Sequence, residues 1–373
     1  MSNRLGGFIA GQNIDASIGT FTAVTSPTFT FGSTQGTPPV GQAVQLTTTG
    51  TLPTGLSINT TYYVISTSTN TCQLSTTLGG SAVTFTNSSG SGTHTAVTQR
   101  AFNPYAGATD TVEYLVVAGG GGGGFQNGGS GGGGGAGGLL TAAGFAVTAG
   151  SSITVTVGAG GASRTSSANG GNGGDSVFSS ITATGGGGGA GTSSAGSSGG
   201  SGGGGLGGAT NAVGSGTSGQ GFSGGGNINV NDYGGGGGGG AGSAGIAPPG
   251  PASNATGGPG GAGFCSTING QRVLYAGGGG GGSFIAGRVG IAGPNAGNGG
   301  SSGIFGSVAV ANYGGGGGGN GNTTGSGAGG SGVVIVRYPQ LNSAPALVTG
   351  SPQVNYADGY QIYTFTSSGS IIF

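Results

Sequence analysis

"EYLVVAGGGGGGFQNGG", residues 113–129, sets a short apolar strand directly against six consecutive glycines. The same device returns as "NDYGGGGGGG" at 231–240, "VLYAGGGGGG" at 273–282 and "ANYGGGGGG" at 311–319. Composition alone would make such runs flexible linker. Fixing a backbone costs about 1–2 kcal/mol per residue, with glycine at the expensive end, while a net hydrogen bond returns only about 0.5–1.5 kcal/mol. An isolated run therefore stays unordered. Runs that bond to one another between apolar strands can order. Polyproline-II-type geometry suits them, with three residues per turn, a rise of ~3.1 Å and every N–H and C=O pointing outward. Only glycine lets such helices touch without a side chain between them. The expected architecture is a β-strand platform from which packed glycine helices project. The repeated apolar–Tyr–Gly junctions are expected to mark where sheet becomes bundle.

The rest of the composition narrows the function. The chain has 373 residues, 105 of them Gly, with 3% charged residues and a formal net charge of zero. Its basic residues are Arg4, Arg100, Arg164, Arg272, Arg288 and Arg337, all scattered, and Lys is absent. Phosphate neutralisation needs a clustered basic footprint, so nucleic acid is not an expected partner. A polybasic membrane contact fails on the same ground. Glycine comes in blocks rather than at every third position, which argues against collagen. No apolar run reaches the ~20 residues of a membrane helix, so membrane insertion is not expected. The opening "MSNRLGGFIAGQNID" lacks a signal-peptide core, so release by a route other than general secretion is expected. Cys72 and Cys265 fall in different regions and read as two free thiols.

Along the chain, residues 1–20 read as an attachment arm and 21–100 as a small β module, a sandwich or a barrel. Its segments "AVQLTTT" (43–49), "TYYVIST" (61–67), "TCQLSTT" (71–77) and "SAVTFTN" (81–87) are rich in Thr, Val and aromatics and separated by turn residues. Residues 101–338 form the glycine-rich domain, interrupted by strand-like segments at 111–118, 144–158, 175–185, 264–276, 303–313 and 332–339. Within it, Asn269-Gly270 signals a two-residue hairpin turn, and "AGSS" (149–152) a weaker one. Residues 339–373 read as a linker and a C-terminal β-hairpin turning at Ser368-Gly369. The fold class is thus all-β plus a polyglycine-II bundle, essentially without α-helix, because no 3.6-residue pattern survives the Gly and Thr content.

"VEYLVVAGGGGGG", closed by "GSGVVIVRYP", resembles the glycine-rich domain of bacteriophage tail fibres and adhesins. "GYQIYTFTSSGSIIF" is similar to a hairpin that accompanies that domain, and "LPTGLSINTTYYVISTSTNTCQLSTTLGGSAVTFT" (52–86) resembles a small β repeat of phage fibre and virion proteins. The start "MSNRLGGFIAG" is similar to the starts of such proteins. The resemblance implies a polyglycine-II bundle sandwiched by β-structure and displayed on a virion. In the adhesin subgroup, loops between glycine helices touch the host receptor. Transferred here, the receptor-contact candidates are Phe125, Gln126, Asn127, Asn231, Asp232, Pro248 and Pro249.

The expected function is a non-enzymatic structural component of a phage virion, tail-fibre-like or an appendage, with host-receptor adhesion as its binding variant. Its expected location is the virion or the extracellular space. Expected partners are copies of itself, other virion proteins, and a host surface glycan or outer-membrane protein. The alternative is a self-assembling extracellular filament joined head-to-tail through the C-terminal hairpin, with Tyr360, Ile362, Tyr363, Phe365, Ile371 and Phe373 as contacts.

Catalysis finds no footing in the sequence, and no cofactor is implied. His94 is the single histidine, no acid lies near it, and it reads as a strand or turn residue. One His and two distant Cys cannot make a zinc tetrad. GxGxxG is uninformative in so glycine-rich a chain, because the dinucleotide fingerprint needs a helix after it. Asp110 and Glu113 read as a solvated strand edge.

Overall fold

The computed structural model describes residues 15–32, 40–58, 60–86, 90–99, 109–192, 195–208, 212–226, 233–249, 256–340, 342 and 344–373. The chain divides into two units, 1–107 and 108–373. Among the described residues there is no α-helix.

The first unit is a closed antiparallel barrel rather than a sandwich. Its strands are β1 (Asp15–Thr25), β2 (Thr28–Phe31), β3 (Ala43–Thr48), β4 (Thr61–Ser68), β5 (Thr71–Ser75) and β6 (His94–Gln99), in the order β1-β2-β5-β4-β3-β6. Alternate residues point inward, as the two-residue period of a strand dictates. Phe21, Phe29, Phe31, Leu46, Val64 and Leu74 fill the interior with Cys72. Phe29 lies 5.5 Å from Phe21 and 5.0 Å from Phe85, ring centre to ring centre. His94 opens β6, buried against Phe21, with its Nδ1 2.8 Å from the Thr48 hydroxyl. Two boundaries differ from the sequence reading. β1 begins at Asp15, inside the expected arm, because it needs that length to pair with β6. Residues 81–86 form no strand; Val83 donates to Leu74 and Thr86 to Thr54, and Phe85 is buried among the core side chains.

The second unit carries two five-stranded antiparallel sheets. The central sheet runs β18 (Gln353–Ala357), β19 (Tyr360–Phe365), β16 (Val333–Pro339), β7 (Thr111–Val117), β9 (Leu139–Ala146). The outer sheet runs β12 (Ile181–Ala183), β11 (Ser176–Phe178), β10 (Ser152–Thr156), β20 (Gly369–Ile372), β17 (Leu347–Val348). Two small ladders complete the strands: β13 (Phe264–Ser266) with β14 (Val273–Tyr275), and β8 (Gly129–Ser130) with β15 (Gly321–Asn322).

The apolar runs of β7 and β16 are explained by burial on both faces. Val112, Tyr114, Val116, Val334, Val336 and Tyr338 share a core with Val155, Phe178 and Ile371 of the outer sheet. Leu115, Val117, Val333 and Ile335 face the other way, onto Ile268 and Tyr275. Glu113 is not at a solvated edge: it pairs with its register partner Arg337, Nη2 to Oε2 2.7 Å, and the guanidinium lies 4.3 Å from the Tyr360 ring centre.

The glycine runs leave this platform as a three-fold hydrogen-bonded bundle. Gly119 and Gly122 donate to Gly174 and Gly171, Gly120 and Gly123 to Gly330 and Gly327, and Gly121 and Gly124 to Gly135 and Gly132. Their carbonyls serve three further neighbours. Gly186 and Gly189 donate to Gly119 and Gly122, Gly161 to Gly120, and Gly317 and Asn320 to Gly121 and Gly124. Successive residues thus point to successive neighbours, the signature of three residues per turn. The first three neighbours run antiparallel to the 119–124 segment, and the last three run parallel. The segment is buried throughout, with its N–H groups all paired as a buried backbone requires. Residues 131–137 repeat the pattern against 314–320, 187–190 and 236–239.

Four local expectations change. "AGSS" is no hairpin: β9 pairs in the central sheet and β10 in the outer, so the chain crosses between layers there. The hairpin expected at Ser368-Gly369 does not form either. β19 pairs with β16 and β18, while β20 pairs with β10 and β17. Asn269-Gly270 does lie in a hairpin, but residues 267–272 all connect it, because Ile268 turns down into the core beneath the central sheet. "GIFGSVAVANY" forms no strand; Gly306 and Ala309 donate to Gly325 and Ala328, and Ser307 and Val310 to Asn298 and Asn295. It is an outer helix of the bundle, and its exposed Val308 explains the apolar side chains among glycines.

Candidate functional site

The bundle has two ends. At the platform end the chain enters at Gly119 from β7 and returns along 131–138 into β9. At the other end it turns through residues 125–130. The runs 277–283 and 314–320 leave the platform in the same sense as 119–124 and end beside this turn. The run from Gly234 is antiparallel to 277–283, with Gly235 donating to Gly282 and Gly238 to Gly279. Its leading Tyr233 therefore sits at the loop end and not at the sheet, unlike the other three quoted junctions. A chain that reverses direction at every run enters alternate runs from opposite ends.

Side-chain amides fix the loops. Asn320 is fully buried and its Oδ1 accepts from the N–H groups of Gln126 and Gly131, each at 2.9 Å. Its Nδ2 donates to the carbonyls of Gln126 at 3.0 Å and Asn322 at 2.9 Å. Asn169 Oδ1 accepts from Gly191 at 2.8 Å, and the Asn127 N–H donates to the Ser167 hydroxyl at 3.0 Å. Phe125 and Ala168 exchange both backbone bonds at 3.0 Å. The loop end is thereby held from several runs at once.

The sequence candidates distribute unevenly over this surface. Phe125 is only 5% exposed and its ring is a structural plug rather than a displayed group. Gln126 is half-buried, Asn127 and Pro249 are exposed, and Pro248 is buried against Gly234. Asn231 and Asp232 lie outside the described residues. What the sequence reading missed are the displayed apolar side chains. Tyr233 (56% exposed) and Phe284 (41%) face one another with ring centres 6.1 Å apart, and Ile304 and Phe305 (64%) lie on the turn after residue 300. Their signal was an aromatic placed at the loop-side end of a glycine run, legible only once the direction of each run is known. The assembly candidates Ile362, Tyr363, Phe365 and Ile371 are buried in their own chain's sheets, with Tyr360 and Phe373 packed beside those cores.

A buried polar cluster lies within the platform. The hydroxyls of Tyr338 and Tyr363 donate to Gln361 Oε1 at 3.3 and 3.4 Å. Burial, and then the Tyr363 contact, push the Tyr338 phenol far above its ordinary range; burial raises that of Tyr363 too. Among the described residues no group of three or more His, Cys, Asp or Glu is placed to hold a metal ion.

The family profile described as glycine-rich domain matches residues 95–339, more than half of the chain. The chain belongs to the glycine-rich domain family. No curated protein matches it. The glycine-rich domain match begins in the last barrel strand and stops at the end of β16. Strands β17 to β20, which complete both sheets, therefore lie beyond it.

Proposed function

We propose that this chain is a non-enzymatic structural and display protein of a phage virion, tail-fibre-like or an appendage component. The glycine bundle is its rigid body, and the loop end is its host-receptor contact. The observation that carries the reading is the exposed Tyr233–Phe284 pair, with Phe305, on loops anchored to a bundle hydrogen-bonded between its runs. Rigid aromatic groups on a fixed scaffold lose little entropy on binding, which favours them as contact residues. The virion setting rests on the resemblance of "VEYLVVAGGGGGG" and "GSGVVIVRYP" to tail-fibre and adhesin domains.

The test is adsorption of the labelled full chain to a panel of bacterial strains, beside the triple variant Tyr233→Ser, Phe284→Ser, Phe305→Ser. Adsorption to a strain, lost in the variant, supports the reading. Equal adsorption by the variant, or none to any strain, removes the adhesin role.

The filament alternative requires residues 360–373 to leave their own sheets and enter a neighbour's. Electron microscopy of the purified chain at low and high concentration separates the two readings: particles of fixed size favour the virion part, and long uniform filaments favour the alternative.

A further inference from the structure

A cleft of about 570 Å³ opens on the platform, between the β13–β14 turn and strands β18 and β19. Its size falls within the ~300–1,000 Å³ of small-molecule sites. Tyr313 and Tyr275 stack at its base, ring centres 5.8 Å apart, beside Val273 and Val333. Burial, with Tyr313 adjacent, pushes the Tyr275 phenol up to about 12. Around this base stand Gln271 and Asn312 on one side and Gln353, Asn355, Thr364 and Thr366 on the other. The side chains of Gln271, Gln353, Thr364 and Thr366 make no hydrogen bond among the described residues. Among the described residues no charged side chain lines the cleft.

This lining selects a ligand class. Each amide offers both donor and acceptor, and each hydroxyl does the same, so the partner carries many groups that both give and take hydrogen bonds. The tyrosine base asks for an apolar face on that partner. Carboxylates and phosphates would find no counter-charge. We propose that the cleft binds an uncharged oligosaccharide, whose hydroxyls meet the amides and whose C–H face lies on Tyr313. The site is at the platform end, away from the display loops, and does not rest on their role.

Calorimetric titration of the full chain with maltoheptaose, cellohexaose, chitohexaose and mannohexaose, with oligomeric sialic acid as the anionic comparator, tests it. At least one neutral probe binds. Gln353→Ala and Asn355→Ala, exposed positions on an edge strand, each weaken that binding by about tenfold. Val308→Ser, on the exposed surface of the bundle, leaves it unchanged. Binding of sialic acid alone, no binding of any neutral probe, or neutral binding undiminished in both β18 variants overturns the proposal.

Discussion

Asn320 closes the far end of the bundle on Gln126. Its side-chain amide accepts from the Gln126 N–H at 2.9 Å and donates to the Gln126 carbonyl at 3.0 Å, across 194 residues of chain. The pair mimics one rung of a β-ladder with a side chain in place of a strand, and the Asn320 side chain that makes it is fully buried. Asn320→Asp keeps the acceptor but turns a carboxylate oxygen toward the carbonyls of Gln126 and Asn322. A destabilisation of about 2–4 kcal/mol is expected, read by thermal or chemical unfolding. Hydrogen exchange at Gln126 and Gly131 should accelerate before the platform amides do.

Glycine in the bundle interior is a steric requirement. A Cβ at Gly121 would intrude on the backbone carbonyl of Gly187, which belongs to the next helix and cannot move alone. Gly32 in the barrel has nothing nearer than 3.9 Å to an added Cβ. Gly121→Ala should therefore lower stability by about 3 kcal/mol or more, while Gly32→Ala stays within about 0.5 kcal/mol. Paired unfolding curves of the two variants check the contrast.

The two thiols report on different states. Cys265 is exposed and should react promptly with a thiol reagent, whereas Cys72 is buried in the barrel and should react only as the barrel opens. Burial raises the Cys72 thiol from 9.0 to about 12. Between those values the unfolded chain has lost a proton that the folded barrel keeps, so the Cys72 contribution is intact below pH 9 and lost as pH climbs toward 12. The fall should approach about 1.4 kcal/mol per pH unit at its steepest. Unfolding free energies of wild type and Cys72→Ala, measured from pH 8 to 11, should show a steeper decline in the wild type.

Removing residues 360–373 should unfold the platform. Phe365 and Ile371 are fully buried between the sheets, and β19 lies between β18 and β16. The truncated chain is expected to lose cooperative unfolding of its second unit and to bind a hydrophobic dye. A soluble truncated chain with native circular dichroism would show that these strands are dispensable to the fold.

Much of the architecture was legible because it follows from local chemistry. "VEYLVVA" and "GVVIVRYP" read as apolar strands, and glycine blocks between such strands order only by bonding to one another. The barrel strands announced themselves by Thr, Val and aromatic alternation. Partner choice was not legible. Ser368-Gly369 looks like a hairpin turn, but what the flanking strands pair with depends on which edges are free. "SVAVAN" has strand composition, yet at the bundle surface the same residues make a three-fold helix with valines facing water. The site shows the same division. The exposure of Asn127 and Pro249 follows from their loop positions, whereas that of Tyr233, Phe284 and Phe305 needed the direction of each glycine run.

The sequence by itself determined that the chain is all-β and that its glycine runs must pack as extended helices. Only the tertiary structure decided which run neighbours which, which end of the bundle carries the loops, and that β19 and β20 part into different sheets. The reason is physical. Period, propensity and steric size act between residues a few positions apart, while a polyglycine helix presents the same backbone on all sides. Its neighbours are therefore chosen by the strands that clamp its ends and by single side chains such as Asn320.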